Sequence, residues 1–296
     1  MEQFINTFFN GMSLTSIILL ASLGLSITFG LMRVINMAHG EFIMIGAYTT
    51  YVVQTLLQSL LPNLYYILAI PVAFIVAFIF GSILEKLVIS RLYGREIDSL
   101  LATFGVSLIL QQAARTIFGS QGVNVKSPSF LSGGVNIGNL TFSYNRLFII
   151  FLVLFCLAGV WWVMYRSPFG KQMRAVMQNR AMAQCMGINS RRVDNLTFAI
   201  GSGIAGIAGC SIALLGSVDS TVGQSYIVNA FMVVVLGGVG NLKGSVIGAM
   251  IIGFASIFAE NYTSATMAKA IVLFIVILFL QKRPQGLFVT RTRDLD

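Results

Sequence analysis

Long apolar runs broken by short polar connections organise the chain from one end to the other. Runs of about 20 residues with few charges predict transmembrane helices. Eight are read, at about 12–32, 38–61, 65–89, 98–118, 146–165, 195–216, 225–240 and 243–281. The last is long enough to divide into 243–260 and 265–281, whereas 225–240 is short for a full crossing. The pattern therefore predicts an all-α polytopic integral membrane protein with eight or nine apolar helical segments in a single domain over 1–296. The segment at 225–240 either crosses or is re-entrant. The connection at 119–145, rich in Gly, Ser and Asn, reads as a surface loop with room for short strands.

Composition agrees with the pattern. Hydrophobic residues make up 56% of the chain and charged residues 10%, and the mean hydropathy is +0.85. A soluble domain cannot hide that much apolar surface. The formal net charge of +9 does not imply nucleic acid, because the bases gather in loops that alternate along the chain. Segment 166–195 holds Arg166, Lys171, Arg174, Arg180, Arg191 and Arg192 against the single acid Asp194. With Arg33, Arg91, Arg95, Lys243, Lys282, Arg283, Arg291 and Arg293 it makes one side strongly basic, while the other side holds Lys126 with Arg146 at a boundary. Basic loops stay cytoplasmic, so the N-terminus is expected outside and the C-terminus in the cytoplasm, with an odd number of crossings. Residues 1–11 contain no Lys or Arg, so no cleavable signal peptide is expected.

Three groups of polar residues stand out. Asn36, His39 and Glu41 cluster around Gly40 beside an apolar run. Ionisable groups at membrane depth are costly and face a cavity or a partner, and a glycine break frees backbone groups for a polar solute. The alternative is an ordinary loop in which His39 caps a helix. A glycine-rich break at 236–249 surrounds Asn241 and Lys243. It is weakly similar to 34–47, with Ile247-Gly248-Ala249 against Ile45-Gly46-Ala47 and Asn241 against His39. Glycine-interrupted segments in matching halves mark the path in repeat-built transporters, and chance likeness of apolar runs is the alternative. Thr103, Ser107 and Gln111 share one helix face at i, i+4, i+8, suited either to a polar solute or to hydrogen bonds between helices. Gly201, Ala205 and Gly209 at four-residue spacing predict close helix packing.

Other chemistry is not expected. One histidine and the dispersed Cys156, Cys185 and Cys210 make no convincing metal site, and no cofactor is expected. The phosphate-binding pattern G-x-x-x-x-G-K-[ST] does not occur, so ATP hydrolysis by this chain is not expected.

Four stretches carry a resemblance: 30–48 (GLMRVINMAHGEFIMIGAY), 174–209, 233–249 (VVVLGGVGNLKGSVIGA) and 282–288 (KRPQGLF). Together they resemble the permease subunits of ABC importers of the branched-chain amino acid class. Within that class, 99–119 and 223–240 look most like the urea or short-chain amide permease. The resemblance implies a multi-pass permease of a bacterial inner membrane. Its expected partners are ABC ATPase subunits, a second related permease, a periplasmic solute-binding protein, a small polar solute and membrane lipid, with no nucleic acid. Segment 166–195 would be the cytoplasmic coupling loop. Importer permeases often carry a Glu-Ala-Ala-x-x-x-Gly pattern there; in Ala181-Met182-Ala183-Gln184-Cys185-Met186-Gly187, Ala183 and Gly187 match it while Ala181 and Met182 depart. The expected coupling residues are Arg174, Ala183 and Gly187. The expected path residues are Asn36, His39, Glu41, Thr103, Gln111 and Asn241. The alternatives are a branched-chain amino acid permease and, from another class, a stand-alone secondary transporter or channel. The latter needs membrane-embedded acids for a coupling ion, and Glu41, Glu85 and Glu260 all lie towards predicted span ends.

Overall fold

The computed structural model describes residues 2–32, 34–137 and 140–288. The chain is helical almost throughout. In order come α1 (Glu2–Met32), α2 (His39–Leu57), α3 (Tyr65–Leu87), α4 (Glu96–Phe118), a hairpin of β1 (Gly134–Ile137) and β2 (Leu140–Ser143), α5 (Tyr144–Arg166), α6 (Pro168–Gln178), α7 (Arg180–Cys185), α8 (Ser190–Ala213), α9 (Val222–Gly237), α10 (Leu242–Glu260) and α11 (Ala265–Lys282). Seven of these are long and apolar enough to cross a membrane: all or most of α1, α3, α4, α5, α8, α10 and α11. With α2 and α9, nine passes among the described residues alternate in direction. Arg91, Arg95, Arg166, Lys171, Arg191, Arg192, Lys243, Lys282 and Arg283 are exposed around one set of ends, called here the basic face.

α1 and α8 form the centre. Within their most apolar windows 83% and 89% of residues are buried, against 28% in α4 and α5 and 17% in α11. Small residues explain the centre. Gly201 and Gly24 meet backbone to backbone, and Gly206 of α8 lies against Ala73 of α3 and Gly46 of α2. Lipid removes the hydrophobic drive between helices, so close approach and interhelical hydrogen bonds take its place. Such bonds join Ser245 Oγ to Ser26 Oγ (2.8 Å), and Tyr66 Oη to the Cys210 carbonyl (3.0 Å).

Two passes are broken. α1 spans the apolar stretch Thr7–Met32, yet the His39 imidazole at the start of α2 bonds the carbonyl of Ala21, near the middle of that stretch, at 3.1 Å. The chain after α1 therefore climbs back to half depth without helix before α2 begins. α9 starts at the same depth, because Gly223 in its first turn packs on Gly40 in the first turn of α2. A Cβ at Gly40 would stand 2.6 Å from the Gly223 carbonyl, and one at Gly223 would strike the Gly40 carbonyl. Only glycine allows this reciprocal contact.

These contacts are those of an inverted repeat. α3 packs on α8 as α10 packs on α1, α2 packs on α8 as α9 packs on α1, and α2 packs on α3 as α9 packs on α10. The self-pairing contacts, Gly24 with Gly201 and Gly40 with Gly223, mark the local two-fold.

Several sequence expectations change. The first helix begins ten residues earlier than the predicted span 12–32; its extra N-terminal turns are weakly apolar and were read as a connection. The second span, 38–61, ends as helix at Leu57. The short segment at 225–240 is helical from Val222 to Gly237 and begins at half depth. Segment 166–195 carries two short helices, α6 and α7, where its length leaves room for a short helix, and α8 starts at Ser190. The glycine break at 236–249 is not the structural mate of 34–47. It is a turn at the basic face, where Gly238 and Gly240 take positive φ and Asn241 caps α10.

Candidate functional site

The start of α2 is closed by a polar stripe on α4. Ser99, Thr103, Ser107, Gln111 and Arg115 recur every fourth residue, so they fall on one face. Lipid-type side chains, Leu101, Phe104, Leu108 and Ile109, are exposed beside them. Thr103 Oγ1 accepts the Met37 N–H at 3.1 Å. Ser107 Oγ and Gln111 Nε2 each donate to Glu41 Oε1 at 2.8 Å. Arg115 Nε donates to Ser220 Oγ at 2.8 Å, on the segment that leads into α9. One helix face thus covers the approaches to both broken passes. The end away from the basic face is fixed by Tyr48 of α2 stacking on Phe118 of α4, with ring centroids 4.3 Å apart.

The expected path residues separate into two groups. Glu41, Thr103 and Gln111 come together under α4, with Asn36 beside them in the non-helical approach. Asn36 Oδ1 accepts the Ala38 N–H at 3.0 Å, and its buried Nδ2 has no partner. His39 and Asn241 lie elsewhere. His39 points away from α4 towards α1 and is fully buried. Since a carbonyl only accepts, Nε2 carries the proton. Asn241 Oδ1 accepts the N–H groups of Lys243 (3.1 Å) and Gly244 (3.3 Å) as an N-cap. Sequence similarity put Asn241 opposite His39, whereas the structure places it in a cap at the start of α10.

α9 is covered differently. Gln224 and Ser225, in its first turn, are exposed at half depth. They were missed because a two-residue polar step inside an apolar run carries no depth information. Ser107 was seen on its helix face, but its partner Glu41 was not legible, because the pairing joins residues 66 apart.

The second polar region lies at the basic face, built from a relay of capped helices. Ser167 Oγ accepts the Gly170 N–H (2.9 Å) to start α6, with Pro168 at the first position. Asn179 Oδ1 accepts the Met182 N–H (2.9 Å) to start α7, and Asn189 Oδ1 accepts the Arg192 N–H (3.2 Å) to start α8. α7 ends in a Schellman turn. Gly187, at φ +82°, donates to the Gln184 carbonyl at 2.9 Å and Ile188 donates to the Ala183 carbonyl at 3.0 Å.

The expected coupling residues occupy distinct places in this relay. Arg174 lies over the Tyr165 ring, 5.4 Å from its centroid, and ties α6 to α5. Ala183 is buried and seats α7, while Gly187 is exposed. Met182 and Met186 project outward at 61% and 77% exposure, one turn apart. Arg180 pairs with the fully buried Asp194 of α8 and lies 4.6 Å above the Tyr93 ring. Burial and the nearby Asp194 push the Tyr93 phenol well above its usual range. Asn195 Nδ2 donates to Glu85 Oε2 at 2.7 Å. A cavity of about 640 Å³ opens here, lined by Glu85, Tyr93, Arg180, Gln184 and Arg191 among others. Among the described residues no group of three or more His, Cys, Asp or Glu is placed to hold a metal ion.

Residues 7–280 match the protein family described as branched-chain amino acid transport system, permease component. The high-affinity branched-chain amino acid transport system permease protein LivH of Salmonella typhimurium is 30% identical over 295 residues, covering 96% of this chain and 95% of that protein. BraD of Pseudomonas aeruginosa, of the same description, is 28% identical over 287 residues and covers 94% and 93%. The probable LivH of Methanocaldococcus jannaschii is 28% identical, covering 92% and 89%. No solved structure matches. These relatives favour the amino-acid alternative over the urea or amide reading.

Proposed function

Because this chain belongs to the family of branched-chain amino acid transport permease components, we propose that it is a membrane-spanning subunit of an ATP-driven ABC importer for a branched-chain amino acid. In this reading 1–296 is one permease domain in a bacterial inner membrane, with the basic face in the cytoplasm. ATP is hydrolysed by separate ATPase subunits docked on that face. A periplasmic binding protein delivers the solute to the opposite face, and a second related permease completes the path.

The observation that carries the reading is the meeting of two helix N-termini at half depth, marked by the Gly40–Gly223 contact. Broken helices with their positive ends at the midplane suit the carboxylate of a solute. The end of α2 is sealed by Thr103 and Asn36, whereas α9 presents Gln224 and Ser225 on the outside of the chain. Polar side chains at that depth do not face lipid without cost. That face therefore suits a water-filled path against the second permease. Asn36, Glu41, Thr103 and Gln111 are assigned to the path side of α4. His39 and Asn241 are assigned structural roles. A neutral urea-sized solute would need neither paired charges nor helix ends, and no relative described above supports it.

For coupling, the relay at 166–195 is assigned as the ATPase docking segment. Met182 and Met186 are the knob that enters the ATPase, Ala183 its seat, Gly187 its end, and Arg174 the tie to α5. A pull on α7 would reach α8 directly, and α8 packs on α1, α2 and α3. Coupling of this kind needs only different contacts in two states.

The test is uptake by the complex reconstituted with both ATPases, the second permease and the binding protein. ATP-dependent accumulation of labelled leucine, without labelled urea, is expected. Urea uptake without leucine overturns the substrate, and uptake by this chain alone without ATP overturns the importer reading.

A further inference from the structure

Glu41 is a carboxylate at half membrane depth, 1% exposed. The described residues form ion pairs at Arg95–Asp98 and Arg180–Asp194, and neither involves it. The neighbouring imidazole of His39 is committed to Ala21 on the other side of α2. Arg115, one turn beyond Gln111, is committed to Ser220. Oε1 accepts two hydrogen bonds, from Ser107 and Gln111, while the buried Oε2 accepts none. A carboxyl in this position is costly, and the two bonds to Oε1 do not require its charge: an amide oxygen of the same reach would accept both. An acid at membrane depth with no ion pair among the described residues marks a route for a solute or an ion.

We propose that Glu41 receives the ammonium group of the amino-acid solute, and that Ser107 and Gln111 occupy its place in the closed arrangement. An ammonium carries three donors and no acceptor. One N–H would take the place of the hydroxyl and amide donors at Oε1, and a second would reach Oε2. Donors exchange for donors at Oε1, and the buried Oε2, which accepts none in the closed arrangement, gains one. The exchange also frees α4 from α2, which ties solute entry to opening of the polar stripe. This inference rests on the importer reading above.

The experiment compares Glu41→Gln with Glu41→Asp in the full reconstituted complex, with leucine uptake divided by ATP hydrolysis stimulated by the loaded binding protein. Glutamine keeps the length and the Oε1 acceptor but loses the charge, and aspartate keeps the charge but loses the reach. An ammonium site predicts uptake per ATP lowered about tenfold in Glu41→Gln, since a charge-assisted bond is replaced by a neutral one, with Glu41→Asp retaining more. A purely structural latch predicts the reverse order. Equal uptake in the two variants, or more in Glu41→Gln, overturns the proposal. Failure of the wild-type complex to take up leucine is a separate result that overturns the importer reading and this assignment with it.

Discussion

At the residue scale, the decisive contacts are between polar groups far apart in sequence. Asp194 was visible only as the lone acid in a basic segment. Its partner follows from folding: Arg180 caps it from α7 while Tyr93 closes the other side of the guanidinium. Removing Arg180 leaves a fully buried carboxylate uncompensated. Breaking a buried pair in this way costs about 3–5 kcal/mol, and the lower end applies because Arg180 itself is 37% exposed. Arg180→Ala is therefore expected to lower the thermal unfolding temperature of the purified chain in detergent. Arg180→Ala with Asp194→Asn, which removes the orphaned charge, is expected to recover most of the loss. A temperature unchanged in the single variant would show that Asp194 does not depend on Arg180. The same blindness hid Glu41. Its residue type raised attention in the sequence, as did the spacing of Thr103, Ser107 and Gln111, but no periodicity tells which stripe meets which acid.

At the scale of elements, length and apolarity located nearly every helix, and depth was what they left out. A run of apolar residues reads the same whether it starts at the membrane surface or halfway through. α2 and α9 start halfway because glycines let their first turns touch, and the apolar count at 225–240 registered only as a short span. The repeat was sought in the right place on one side, 34–47, but matched to 236–249, where shared Ile-Gly-Ala outweighed the true mate around Gly223. Contact geometry makes a sharp contrast between glycines. At Gly40 a Cβ would meet backbone, which cannot rotate aside, whereas at Gly105 in α4 nothing lies within 4 Å. Gly40→Ala is expected to destabilise the chain by about 1–3 kcal/mol or more through overpacking. Gly105→Ala is expected to be neutral or to stabilise it by about 0.5–1 kcal/mol through helix propensity. Thermal unfolding of both variants in one detergent checks the pair, and equal shifts would remove the α2–α9 contact from the account of this fold.

At the scale of the whole molecule, the fold class followed from hydropathy because a bilayer permits so few solutions: each pass must satisfy its own backbone. The grouping of bases was equally legible, and most of the described bases lie on one face together with α6 and α7. The rule that basic loops remain in the cytoplasm predicts which compartment that face meets, and the chain carries its own reporter for it. Cys185, at the end of α7, is exposed on the basic face, whereas Cys210 is buried and Cys156 is half-buried along α5. A membrane-impermeant maleimide added to right-side-out vesicles is expected to leave the chain unlabelled, and to label it at Cys185 once the membrane is permeabilised. A Cys185→Ser variant separates this signal from Cys156. Placing a cysteine at Ser129, in the exposed connection before the β-hairpin of the Cys185→Ser variant, should reverse the pattern and label without permeabilisation. Labelling of Cys185 in sealed vesicles would turn the molecule over, put α7 in the wrong compartment for an ATPase, and withdraw the coupling role from the 166–195 relay while leaving the nine-pass architecture as it stands.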